Sequence, residues 1–318
     1  MTTQKPTVTR VSTEMGKHGL YPRLINLSGV VFPFLGFAIA IWLVWGTWLN
    51  WVQVAILVVM YVITGLGITI GYHRLFTHRS FATPRWVSTA FAIMGSMAVE
   101  GPVMHWVAIH RKHHQYSDHQ DDPHSPHTHG AGLLNALRGM WHAHVGWVTE
   151  QRKHMDLPSY VYDLKKDKML VWTSKLFFLW VALGLLIPAV AGGLLTMIIL
   201  GGSFWHGALL GFLWGGLARV VLVHHVTWSI NSVCHIWGGT PFKSNDESKN
   251  NVIFGVLAMG EGWHNNHHAF PRSARHGLFW WQFDLSYVII KAMSWVGLAK
   301  KINVPDQKTI DSRRLVSK

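Results

Sequence analysis

The sequence predicts an all-α integral membrane protein with four transmembrane helices in two hairpins. A helical cytoplasmic cap holds a histidine-rich dinuclear metal site. Three observations predict it. Asp, Glu, Lys and Arg are missing from two long stretches, between Arg23 and Arg74 and between Lys175 and Arg219. Only 14% of the 318 residues are charged and the mean hydropathy is +0.20, where soluble domains carry about a quarter charged residues. Eight histidines fall in three compact boxes, His73-Arg74-Leu75-Phe76-Thr77-His78, His110-Arg111-Lys112-His113-His114 and His264-Asn265-Asn266-His267-His268.

Each charge-free stretch is long enough for two spans of about 20 residues. The first breaks near Gly46 to Asn50, where Trp45, Trp48 and Trp51 read as interfacial anchors. The second breaks near Gly192-Gly193 or Gly201-Gly202. The expected spans are 27–47, 51–71, 176–198 and 204–224, with Pro33 and Pro188 inside spans, which bilayer helices tolerate. All 28 Lys and Arg lie outside the two stretches, and neither hairpin tip carries one. The positive-inside rule therefore puts both termini and the segments 73–175 and 225–318 in the cytoplasm. Parity agrees: two crossings separate the second box from the third, so all three boxes emerge on one face.

The chain reads as a single domain. It has a cytoplasmic segment 1–24, a first hairpin 25–72, a cap segment 73–175 with two boxes, a second hairpin 176–224, a cap segment 225–300 with the third box, and a basic tail 301–318. Within the cap, the apolar stretch Trp86 to Ala98 is too short to span and is expected at the interface or beneath the metal site. Asp121 to Gly130 reads as a turn-rich loop. Met1 to Arg23 is polar, which argues against a cleaved signal peptide.

The net charge of +13 comes without a basic run or recognition motif, so nucleic acid is not the expected partner. It fits the cytoplasmic side of a membrane protein and an anionic substrate or acidic electron donor. The lone cysteine, Cys234, excludes an internal disulfide, a cysteine zinc site and a cysteine-held iron–sulfur cluster.

On a helix, His110/His113/His114 and His264/His267/His268 fall at i, i+3, i+4, on one face. Imidazole is a ligand for iron, zinc and copper, and eight imidazoles are too many for one ion, so two are expected. The chain has five Glu, namely Glu14, Glu100, Glu150, Glu247 and Glu261. That rules out the carboxylate-bridged bundle site, which needs two Glu-x-x-His motifs and two further Glu. Redox-active iron fits the neutral nitrogen set best. The scattered histidines, His105, His119, His142, His144, His206 and His276 among them, read as polar loop or interfacial residues. His124, His127 and His129 read the same way.

The boxes, in this order and spacing between two hairpins, resemble the membrane fatty-acid desaturases of the stearoyl-CoA desaturase type. The resemblance covers about residues 25–300. Asp122-Pro123-His124, His144-Val145-Gly146-Trp147, Thr227-Trp228 and Asn231-Ser232-x-x-His235 support it, and Gly260-Glu261-Gly262-Trp263-His264 through Pro271 is its most specific part. The resemblance implies two iron ions, O2 as co-substrate, and insertion of a cis double bond, at delta-9, into a saturated acyl chain carried on coenzyme A. It implies His235 as a ninth ligand and Asn231 as the residue holding a metal-bound water; their i, i+4 spacing also places both on one helical face. It further implies Trp228 at the acyl chain, and Arg152 and Lys153 at the coenzyme A phosphates. The family's animal members carry Arg-Asp just before the second box, where this chain has Ala108 and Ile109. Acyl-lipid and acyl-carrier-protein substrates therefore stay open.

A saturated chain offers no polar handle near the reacting carbons, so regioselectivity is expected from a bent apolar tunnel. No His-Pro-Gly-Gly motif of a fused cytochrome b5, no Gly-x-Gly-x-x-Gly and no cysteine cluster occurs. The electrons are expected from a separate ferredoxin, or from cytochrome b5 with its reductase. A di-iron hydroxylase is the alternative within enzymes. A metal-binding or metal-transporting membrane protein is the alternative from another class, but transport needs polar ligands within the spans, which are nearly bare apart from His206.

Overall fold

The computed structural model describes residues 20–44, 50–149 and 157–315. Trp45 and Trp48 of the expected interfacial belt lie outside the described residues. Among the described residues, four helices are long and apolar enough to cross a membrane: Leu24–Leu43, Trp51–Thr77, Phe177–Leu200 and Phe204–His235. Among the described residues there is no strand, only isolated bridges such as Ala82 with Lys300. Side chains such as Phe32, Trp42 and Ile198, 67%, 74% and 73% exposed, cover the outer faces, as a lipid-facing surface requires.

The second and fourth spans outrun their expected ends. The apolar signal stops at Gly71 and His224, but the helical chain continues to Thr77 and, through a closing 3₁₀ turn, to His235. Every residue of Gly67–Thr77 is buried, so its polar side chains face protein instead of lipid. The first box is carried on this continuation of the span.

Close backbone approach sets how the spans pack. A Cβ on Gly192 would sit 2.5 Å from the Gly207 carbonyl oxygen and 2.8 Å from Gly211 Cα. Small residues let the third and fourth spans touch there, the contact that holds helices together in lipid. Arg219 is fully buried in the fourth span. It donates to the carbonyls of Met97 at 2.6 Å, Gly184 at 2.8 Å and Gly215 at 3.2 Å. The Gly184 carbonyl is the one that Pro188, four residues on, has no N–H to serve. A single guanidinium thus satisfies the carbonyl that Pro188 leaves open in the third span and ties that span to the fourth and to the chain leaving helix Arg85–Ser96.

That helix holds most of the short apolar stretch of 86–98, and it lies against the extended second span. The two cross at glycines: a Cβ on Gly71 would meet Phe91 Cβ at 2.9 Å, and Tyr72 Oη bonds Ser96 Oγ at 2.8 Å. Helix Val103–Tyr116 starts behind Pro102 and carries the second box. Helix His264–Ala269 carries the third. Tyr72, Val103, Val107 and Ile290 form the core beneath them.

Candidate metal centre

The first box poses a geometric problem. Residues five apart on an α-helix point about 140° away from each other, so His73 and His78 would diverge. The chain solves this by winding Gly67–Thr77 as a π-helix, whose repeat is i→i+5 and which recurs at functional sites. The amide of His78 bonds the His73 carbonyl at 3.1 Å, and the two rings come to 4.8 Å.

The histidines converge in two groups: His73, His78, His110, His114 and His267, and His113, His235, His264 and His268. The ligating atoms within each lie within 4.8 Å of one another. The one-face spacing of the second and third boxes holds, with a division the spacing did not announce. His110 and His114 serve the group of five and His113 the group of four. His264 and His268 serve the group of four and His267 the group of five. Each short helix straddles both groups.

The donor set fits cations. His267 Nε2 lies 3.0 Å from His73 Nε2 and 2.9 Å from His114 Nε2, which is itself 3.1 Å from His110 Nε2. One proton on His267 cannot serve both neighbours, so lone pairs face one another. In the other group His235 Nε2 meets His264 Nε2 at 3.0 Å, while Nε2 of His113 and of His268 is buried with no hydrogen-bond partner among the described residues. Burial, then neighbouring histidines, holds His110, His114, His264 and His267 well below the usual imidazole range. These four rings are thus neutral, and their inward lone pairs suit a cation.

Carboxylates back the rings. His73 Nδ1 lies 2.6 Å from Glu261 Oε2, and Arg74, fully buried, joins Glu261 at 3.2 Å to Asp284 at 3.1 Å. His113 Nδ1 lies 3.0 Å from both Asp122 oxygens, His235 Nδ1 2.8 Å from Asp118, and His268 Nδ1 2.5 Å from Asp246. Each bond donates the Nδ1 proton and leaves Nε2 free to ligate. Burial works against a charge on His113, but Asp122 more than offsets it and raises its pKa. Asp118, Asp122 and Asp246 are held below the carboxylate range by these histidines and by hydrogen bonds, despite burial. Gly260, at φ +115°, brings the chain against Asp284 where a Cβ would clash, and so delivers Glu261 beneath His73.

A cavity of ≈ 770 Å³, walled in part by residues of the spans, reaches the centre. His73 and His110 of one group, His264 of the other, Asn231 and Trp228 border it. Trp228, which the resemblance assigns to the acyl chain, lines this cavity. The α-helix stops at Asn231, and His235 sits on a following 3₁₀ turn, Val233–His235. The simple i, i+4 face is therefore broken, yet His235 reaches His264. Arg152 and Lys153 lie outside the described residues. The histidines set aside as bland include several that support the site. His124 donates its amide to Asp122 at 3.0 Å, His127 Nε2 bonds the His235 carbonyl at 2.9 Å, and His276 packs 4.5 Å from the His267 ring and 3.2 Å from Glu261. Sequence reasoning missed Asp118, Asp246 and His276. The only signal was their nearness to box or motif residues.

Four membrane-length apolar helices with two buried histidine clusters beside an apolar cavity define, among the described residues, a class of membrane proteins whose clusters could hold metal. Residues 46–294 match the family model for fatty acid desaturase. The chain is 42% identical over 287 residues to a hex-5-enoyl-[acyl-carrier protein] acetylenase of Moorena producens, covering 90% of this chain and 87% of that one. It is 39% identical over 267 residues to an sn-1 stearoyl-lipid 9-desaturase of a Synechocystis species, covering 83% and 76%. It is 37% identical over 246 residues to an icosanoyl-CoA 5-desaturase of Limnanthes douglasii, covering 76% and 62%. The chain belongs to the fatty acid desaturase family.

Proposed function

We propose that the chain is a di-iron acyl desaturase. In this reading it converts two adjacent methylenes of a long saturated acyl chain to a cis double bond, at delta-9, consuming O2, two electrons and two protons and releasing two waters. The observation that carries the reading is the apolar cavity that touches both histidine groups at once. Bound iron supplies the oxygen-activating chemistry that no side chain has. The protein supplies position. His73, His78, His110, His114 and His267 hold one ion; His113, His235, His264 and His268 hold the other. Asn231 acts through a water. The cavity walls exclude solvent and fix the chain, with Trp228 beside the reacting carbons.

The electrons come from a separate donor, ferredoxin or cytochrome b5 with its reductase, suited by the net charge of +13. The active site, both termini and the cap segments 73–175 and 225–300 face the cytoplasm, on the strength of the Lys and Arg distribution. Coenzyme A is the carrier the resemblance suggests. A lipid-linked chain is the second reading, and two observations favour it. Ala108 and Ile109 are buried and bring no charge for a phosphate. Ile25, Gly29, Phe32 and Pro33 of the first span wall the cavity, which supports access from the bilayer.

The test supplies deuterated stearoyl groups as coenzyme A, carrier-protein and glycerolipid derivatives to membranes containing the protein, with a donor system. Mass spectrometry then locates the double bond. Alkene from one carrier assigns the substrate; a hydroxylated product without alkene overturns the desaturase reading.

A further inference from the structure

We propose that the two histidine groups hold their ions unequally, and that Asp118, Asp122 and Asp246 are positioning residues that make the group of four the tighter site. The proposal rests on the two-metal reading above.

The asymmetry lies behind the rings. In the group of four, three histidines each have a carboxylate of their own at Nδ1: His113 has Asp122 at 3.0 Å, His235 has Asp118 at 2.8 Å and His268 has Asp246 at 2.5 Å. In the group of five, only His73 meets a carboxylate among the described residues, Glu261 at 2.6 Å. Glu261 also faces the Arg74 guanidinium at 3.2 Å and His276 at 3.2 Å, so its charge is shared. His267 Nδ1 is buried without a hydrogen-bond partner among the described residues.

The three Asp are themselves fixed. Asp118 accepts from the Glu247 amide at 2.8 Å and from Ser125 Oγ at 2.7 Å. Asp122 accepts from the amides of Asp118 at 2.9 Å and His124 at 3.0 Å. Asp246 accepts from Ser248 Oγ at 2.5 Å and its amide at 3.1 Å. The two loops that carry them are thereby locked to each other across Asp118 and Glu247.

A carboxylate at Nδ1 fixes the tautomer and raises the basicity of Nε2, and losing one such partner weakens metal binding by about 10–100-fold. The fifth imidazole of the larger group works the other way, by adding one neutral donor. Two extra carboxylates, neither shared with Arg74, outweigh it.

The test uses the purified full chain in detergent, stripped of metal and titrated anaerobically with chelator-buffered 57Fe(II). Elemental analysis counts bound iron, and Mössbauer spectra are taken at one and two equivalents. Two steps are expected, at least about tenfold apart in dissociation constant, with a single quadrupole doublet at one equivalent. Asp246→Asn should weaken the first step by about 10–100-fold and alter that doublet alone, Asp246→Glu should restore part of the loss, and Glu261→Gln should weaken only the second step. A merely structural role would move both steps together. Two irons binding in one step, or Asp246→Asn shifting both steps equally, overturns the proposal. Saturation at one iron or none overturns the two-metal reading beneath it.

Discussion

The Nε2 atoms of His73 and His267 lie 3.0 Å apart although 194 residues separate them. A π-helical continuation of the second span delivers one; a short helix of the cap delivers the other. Two lone pairs at that distance repel unless something positive sits between them. The first prediction follows. In His267→Ala, bound iron should fall from two per chain toward one, and activity should drop by more than the roughly 100-fold that an outer partner commands. Thermal stability and membrane insertion should survive. Elemental analysis and a melting curve check it; full iron content and activity would remove His267 from the ligand set.

A second prediction concerns Glu100, which borders the cavity. Its Oε2 accepts from Trp106 Nε1 at 2.9 Å. Burial pushes its pKa up to about 7, against the lowering effect of hydrogen bonds from Trp106 and Thr227. Burial also keeps the nearby His105 neutral. Below pH 7 the carboxyl is neutral and compatible with an alkyl chain; above pH 7 it is charged, and a charge beside apolar substrate is costly. KM for the acyl substrate should therefore rise as pH passes upward through about 7. Glu100→Gln should flatten that dependence, and a profile that keeps its inflection in the variant counts against the assignment.

Arg219 supports the fold without touching a histidine of either group. Arg219→Met would leave three buried carbonyls without their donor, at about 1–3 kcal/mol each. The variant should lose on the order of 3 kcal/mol or more, seen as a lower Tm in detergent. An unchanged Tm would mean that other donors take over the Gly184 carbonyl.

The contact between the third and fourth spans predicts that Gly192→Val destabilises strongly. The new side chain would meet backbone of Gly207 and Gly211, which cannot move aside as a flexible side chain can. Folded yield and Tm should both fall, while Gly29→Ala, where a Cβ meets nothing within 4 Å, should leave both unchanged.

What the sequence displayed was what periodicity and composition encode. Charge-free runs marked the spans, and i, i+3, i+4 spacing put His110, His113 and His114 on one face. Parity brought the three boxes to one side. The π-helical winding was not legible, because a five-residue spacing in an α-helix reads as divergence. Nor was the crossing of His113 and His267 into opposite groups, which depends on how two short helices face each other. Asp118 and Asp246 escaped for the same reason: their loops meet through tertiary folding, Asp118 accepting from the Glu247 amide 129 residues on, and no local pattern announces it. Asn231 and His235 show the reverse case, where the resemblance named both residues and the helix assumed between them ended early.

In the proposed reaction the histidine centre removes hydrogen from an acyl chain lying in the adjoining cavity and adds no oxygen to it. Turnover of a saturated acyl substrate under 18O2 tests it most directly, with product and water both analysed by mass spectrometry. The expected product is an alkene free of 18O, with the label recovered in water. A product carrying 18O as a hydroxyl, with no alkene formed, would contradict it.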